Sequence, residues 1–408
     1  MIGISRGTVV GLAAGFVHAR MPAAQIGAGA LVRDRAARVV ALAGERAILA
    51  PLGTLEGITV GDRIVADPLA LALVLGTPLL GRAIAADGNV LDGRRPPRGK
   101  RGAIDSLAAA PDERRPVQHV FWTGVRAIDG PLAFARGARI GIFGAPGCGK
   151  STLLERIVAG GDADARVIAL VGERGREAER WLARIDPRTT IVCATSDRSA
   201  AERVRAAEVA VAQAERLAGR GLEVLLVIDS LARVAAAARE VALAAGEAAG
   251  RGGYPPSVFA LIARLVERAG PFRTGTITLI ATVLSEEADA RDPVSEAARA
   301  ALDGHLALSP ALAARGRFPA LDLTRSTSRT FGEVVSAEHA RAASAFSAAV
   351  AWLEETREAR QFGLSSPDPR AQAILAAEPA IAAFLTQGVE ASEPARTLRE
   401  LHRIAETI

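Results

Sequence analysis

The chain has 408 residues, half of them hydrophobic, and a formal charge of +5 in which arginine far outnumbers lysine. That length fits about two to three domains with a sizeable core. The charge permits contact with an anionic surface or nucleic acid without requiring it, and two cysteines are too few for a disulfide framework, which points to a reducing cytosol.

Residues 1–92 carry short apolar alternations, such as Ala37-Arg38-Val39-Val40-Ala41-Leu42 and Ala47-Ile48-Leu49-Ala50, separated by Gly and Pro turns. The spacing predicts a small β-barrel. The start, Met1-Ile2-Gly3-Ile4-Ser5-Arg6, lacks the charged region and apolar core of a secretory signal. The most apolar stretch, residues 69–80, is broken by Gly76 and Pro78 and is too short to span a bilayer. A soluble cytoplasmic protein is therefore expected, peripheral to a membrane at most. Residues 93–117 open with the basic run Gly93-Arg94-Arg95-Pro96-Pro97-Arg98-Gly99-Lys100-Arg101 and read as a linker, with a lipid or nucleic-acid patch as the alternative.

From residue 118 to 330 strands are predicted to alternate with helices. The runs 139–143, 166–171, 190–194, 224–228 and 277–283 are short and continuously apolar, as expected of strands buried on both faces. Helical segments such as 200–218 lie between them, giving an α/β domain with a mainly parallel sheet. Beyond residue 331 the strand signal stops, and 337–361, 369–387 and 394–407 read as alanine-rich helices of a C-terminal helical domain, 331–408.

The first apolar run leads into Gly144-Ala145-Pro146-Gly147-Cys148-Gly149-Lys150-Ser151, followed by Thr152. This is a phosphate-binding loop: its glycines let backbone N–H groups close around phosphate oxygens, its lysine meets the β- and γ-phosphates, and Ser151 is placed for Mg²⁺. Lys150 is one of only two lysines in the chain, which makes it a chemical requirement rather than a generic cation. Asp229 ends the apolar run 224–228 and can hold the Mg²⁺ hydration shell. The run 166–171 leads into Gly172-Glu173-Arg174-Gly175-Arg176-Glu177, where Glu173 is the candidate base for an attacking water and Glu177 can support the metal-bound water. Arg329, after Pro319 to Ser328, would by itself read as a surface arginine.

Together with Asp229-Ser230-Leu231-Ala232-Arg233, Gly253-Tyr254-Pro255-Pro256-Ser257-Val258-Phe259 and Leu302-Asp303-Gly304-His305, these motifs resemble the catalytic subunits of rotary F-type and V-type ATPases. Within that superfamily the chain looks most like the export ATPases of type III secretion systems, flagellar and injectisome, along nearly its whole length. The resemblance implies a RecA-like nucleotide-binding domain binding ATP and Mg²⁺. It further implies Glu173 as catalytic carboxylate, Lys150, Arg174 and Arg233 near the phosphates, Phe318 stacked on adenine, and Arg329 as a finger offered to the neighbouring subunit. The implied setting is a homohexamer at the inner membrane that meets stalk and regulatory proteins and, through its C-terminal domain, chaperone–effector complexes, with no nucleic-acid partner. Barrel-like sequence begins almost at once where the family carries a helical extension, and Glu287-Ala288 stands where it usually has Gly-Asp. His305 reads as a satisfied buried histidine.

Because Glu173 and Arg329 occur in one chain, a ring of identical subunits can complete every site. A finger supplied in trans is worth about 10³–10⁵ in rate, or about 4–7 kcal/mol of barrier. One alternative is a hexameric nucleic-acid translocase of the transcription-terminator type, but Phe16 is the single Phe, Trp or Tyr in residues 1–100, too little for base stacking. Another is a non-catalytic nucleotide-binding regulatory subunit, against which Glu173 argues. Between the two export systems, the run Gly147 to Leu154 favours the injectisome.

Overall fold

The computed structural model describes residues 6–104, 109–284, 292–362 and 367–408; Glu287-Ala288 lies outside them. Strands Arg6–Ala13, Phe16–Arg20, Arg46–Pro51, Arg35–Ala43, Gly29–Val32 and Arg63–Ala66 pair in that spatial order and close into a barrel. The alternation read from sequence fills its interior with Val17, Val39, Leu49 and Ile64. The first hairpin turns at Ala14-Gly15, both at positive φ (50° and 86°), the geometry whose twist matches the strands it joins.

The centre is a nine-stranded sheet in the order Leu321–Ser328, Gly304–Leu308, Arg139–Gly144, Thr276–Leu284, Glu223–Asp229, Ala165–Val171, Thr189–Ala194, Arg82–Ala85, with Gly270–Pro271 beside Thr276. Its pairings are parallel except at Leu321–Ser328 and Gly270–Pro271. The fold is thus α/β, as the apolar runs predicted. One strand comes from the stretch read as barrel: Arg82–Ala85 pairs in parallel with Thr189–Ala194 at the sheet's edge. Its four residues carry no local signal of which sheet they join, since the partner is over a hundred positions away.

Each buried strand feeds two cores. Ile168 and Leu170 face the helices Lys150–Gly160 and Gly175–Leu182, while Val167, Ala169 and Val171 face Ala200–Ala218, Leu231–Ala244 and Pro256–Glu267. Helix Ala200–Ala218 starts at a reciprocal cap, with Ser199 Oγ accepting from Glu202 N at 3.2 Å and Glu202 Oε2 from Ser199 N at 3.0 Å. The helices Ala337–Glu355, Pro369–Leu385 and Pro394–Ala405 bury Phe346, Phe384 and Leu401 in the core that holds Ile140, Ile142 and Leu154. The C-terminal helices therefore share one continuous core with the sheet.

Parallel strands place their C-terminal ends, and the loops that follow them, along one edge. Gly144, the Gly172-Glu173 turn, Asp229 and Leu284 all come to that edge.

Candidate active site

Strand Arg139–Gly144 delivers the phosphate loop. Gly147 and Gly149 sit at φ of 81° and 91°, where L side chains are strained, and Gly149 caps helix Lys150–Gly160. A Cβ at Gly144 would lie 2.6 Å from Cys148 Sγ and 3.1 Å from Leu308 Cβ, so the strand end admits no side chain. The helix's first N–H groups have no intrahelical partner and open onto a cavity of about 460 Å³ bordered by Pro146, Gly147, Gly149, Lys150, Ser151 and Thr152. Lys150 Nζ donates to the Gly144 and Ala145 carbonyls at 2.6 and 2.7 Å. Burial lowers its pKa, against the pull of Cys148, Asp229 and Glu173. The Cys148 thiol is buried, turned onto Ala145 O at 2.8 Å, and pushed above its ordinary pKa by that burial.

Across the cavity stand Glu173, Arg174, Glu177, Asp229 and Arg233. Arg233 Nη1 lies 2.7 Å from Glu173 Oε1 and donates to the Gly172 carbonyl at 2.5 Å. Burial, a hydrogen bond shared with Glu177 and the charge of Asp229 push the Glu173 carboxyl up to about 8, with Arg233 opposing. That shared bond holds Glu177 below its usual range, so the two carboxyls keep one proton between them at neutral pH. Asp229 is buried, accepts from Thr282 Oγ1, and is raised by desolvation.

Ser151, Asp229 and Glu177 offer hard oxygens around one cavity, while no three His, Cys, Asp or Glu among the described residues form a metal cage. That donor set fits Mg²⁺, which keeps several waters and takes one or two carboxylates plus substrate phosphates. Phe318, 42% exposed, lies against the loop, with its Cδ1 4.0 Å from where a Gly149 Cβ would stand.

Arg329 is not in this cavity. It follows the edge strand Leu321–Ser328, whose Ser328 pairs with Gly304, which pairs with Ile140 at the start of the loop-bearing strand. Exposed, with its N–H on Asp303 O at 2.9 Å, it occupies the opposite end of the sheet from the loop of its own chain. His305 is half-buried rather than buried, edge-on to Phe143 at 5.8 Å, and its pKa is lowered by desolvation. Sequence reasoning missed Thr282, Ser230 and Leu284, which border the cavity. The available signal for Thr282 was a threonine near the C-terminal end of a buried strand.

Residues 124–328 match the family model of the ATP synthase alpha/beta family, nucleotide-binding domain. The chain is 38% identical over 408 residues to the SPI-2 type 3 secretion system ATPase of Salmonella typhimurium, spanning 98% of this chain and 94% of that protein. It is 39% identical over 367 residues to the flagellum-specific ATP synthase of Pseudomonas aeruginosa, spanning 88% and 81%. In three dimensions it is similar to the assembled ATPase EscN of the enteropathogenic E. coli type III secretion system, with a TM-score of 0.93 at 36% identity over 98% of this chain and 100% of that one. The likeness to EscN in complex with its central stalk EscO has a TM-score of 0.90 at the same identity and coverage.

Proposed function

The chain belongs to the ATP synthase α/β family, among the type III secretion ATPases and their flagellar counterparts, and is an ATP hydrolase; from that premise we propose a homohexamer at the cytoplasmic face of the inner membrane whose hydrolysis releases chaperones from export substrates and unfolds them. One observation supports the assembly. Arg329 is exposed at the end of the sheet away from its own P-loop, which favours service to a second copy's cavity.

In this reading Lys150 leaves the Gly144 and Ala145 carbonyls to meet the β- and γ-phosphates, the loop N–H groups cradle them, and Arg174 borders the same pocket. Phe318 stacks on the base. Ser151 and Asp229 would hold Mg²⁺, with Glu177 as supporting carboxylate, and the ion would supply charge neutralisation at the phosphates. Glu173 accepts the proton of the attacking water, which requires it to give up the proton it shares with Glu177 and to loosen from Arg233. The neighbour's Arg329 then meets charge that develops only in the transition state.

Among export systems we favour the injectisome, on the likeness of Gly147 to Leu154 to its members. EscN is solved with its stalk EscO, and we assign a stalk protein of that kind to the ring of this chain. The C-terminal helices are the proposed contact for chaperone–effector complexes. Nucleic acid is left out: Phe16, the one aromatic in the barrel, is buried and offers no stacking face. The test is a labelled chaperone–effector pair mixed with the ATPase. Release with ATP, none with a non-hydrolysable analogue and none with Glu173→Gln is expected; release independent of hydrolysis would refute the unloading role.

A further inference from the structure

A second cavity, of about 350 Å³, lies between the barrel and the helices Ala200–Ala218, Leu231–Ala244 and Pro256–Glu267, and shares no lining residue with the P-loop cleft. Its walls are mainly apolar, with Val40 and Leu52 from the barrel facing Val204, Ala242 and Leu261 from the helices. The charged groups on its wall are three arginines, Arg38, Arg205 and Arg264, against two glutamates, Glu208 and Glu247. Arg38 is committed to Glu208, its Nη1 lying 3.2 and 3.0 Å from the two carboxylate oxygens. Arg205 is buried and donates to the Ala86 and Leu71 carbonyls. Arg264 differs: its side chain is 51% exposed and stands 3.7 Å from Glu208, too far for a hydrogen bond. Its guanidinium can therefore turn to an incoming anion without leaving a buried carboxylate unpaired, because Arg38 still holds Glu208.

Volume, apolar lining, few converging polar groups and a place between two structural units are the marks of a small-molecule site. We propose that this cavity binds a small amphipathic carboxylate, its aliphatic body against the apolar walls and its head group on Arg264. The occupant would touch the helix that reaches the nucleotide site. Leu231–Ala244 carries Arg233, partner of Glu173, in its first turn and Ala238, Val241 and Ala242 in the cavity wall.

The experiment is a titration of the full chain with 11-(dansylamino)undecanoate, followed by displacement with dodecanoate below its micelle concentration. One saturable site in the micromolar range is expected. Ala260→Phe should fill the cavity from an exposed wall position and abolish binding, and Arg264→Gln should weaken it about tenfold. Both positions are exposed, so the fold and ATP hydrolysis should persist in both variants. Decyltrimethylammonium, with an apolar tail of similar kind and the opposite charge, should not displace the probe. Absence of saturable binding, unchanged affinity in Ala260→Phe, or displacement by the cation as effective as by dodecanoate would overturn the proposal.

Discussion

Arg233 and Glu173 are 2.7 Å apart, yet burial and neighbouring carboxylates hold the Glu173 carboxyl at about 8. The group best placed to act as a base is thus stored largely protonated at neutral pH. In the free enzyme kcat/KM should rise with pH through an apparent pKa near that value, well above an ordinary carboxylate. Arg233→Ala, which removes the positive charge opposing the shift, should move the midpoint higher. A pH–rate profile flat from about pH 6 to about pH 9 would exclude Glu173 as the base.

The same shift bears on stability. Folding raises Glu173 from an ordinary 4.5 to about 8, so between those values the folded chain holds a proton the unfolded chain has released. Stability falls as pH climbs through that window, and the deficit is complete above the folded value. Glu173→Gln should therefore raise Tm over the wild type by little near pH 5 and by most above about pH 8. A Tm difference that shrinks with rising pH would contradict the burial argument.

Turnover and binding should separate at two positions. Glu173→Gln keeps the shape of the side chain but cannot accept a proton, so it should bind ATP normally and lose at least about 10²-fold in kcat. Lys150→Ala should lose affinity itself. Equilibrium binding of a fluorescent ATP analogue, beside steady-state hydrolysis, reads both.

Cys148 lies within the phosphate loop, but its thiol faces Ala145 O and is 2% exposed, with its pKa raised. Iodoacetamide should modify it far more slowly than an exposed thiol, with or without ATP. Gly144→Ala should destabilise the chain by about 1–3 kcal/mol through overpacking on that sulfur. The pair Gly144→Ala with Cys148→Ala should recover part of the loss in a denaturant titration, since one of the two close contacts is gone.

Arg329→Ala should bind ATP and still assemble while hydrolysing about 10³-fold more slowly. Mixed with Glu173→Gln, it should regain part of the activity, because some interfaces then join an intact carboxylate to an intact arginine. Confirmed co-assembly with no recovery would mean that Arg329 acts within its own subunit or not at all.

Much of this arrangement was legible in the chain. Gly144 to Thr152, Glu173 and Asp229 were readable because phosphate chemistry demands those residue types at fixed local spacing, and the apolar runs located the strands that carry them. Pairings between distant segments were not. Nothing near Arg82–Ala85 says that it borders Thr189–Ala194, and nothing near Arg233 says that it will hold Glu173. Thr282 was hidden for the same reason: its bond to Asp229 crosses two strands separated by 53 positions. The C-terminal helices showed their apolar residues, but not that Phe346 and Phe384 would share a core with Ile140.

With Arg329 at one end of the sheet and the P-loop at the other, the proposed donation in trans would give each subunit a giving edge and a receiving edge. Contacts of that head-to-tail kind do not saturate in pairs. An open row of copies, whatever its length, ends in one P-loop lacking a donor and one arginine lacking a recipient. Closure removes both ends in a single step, so the last subunit to join adds more working sites than any before it. Under that proposal a copy that has lost its arginine should silence the neighbour it faces while remaining competent itself. Activity in a mixed population should then track the composition of interfaces, not the number of intact chains.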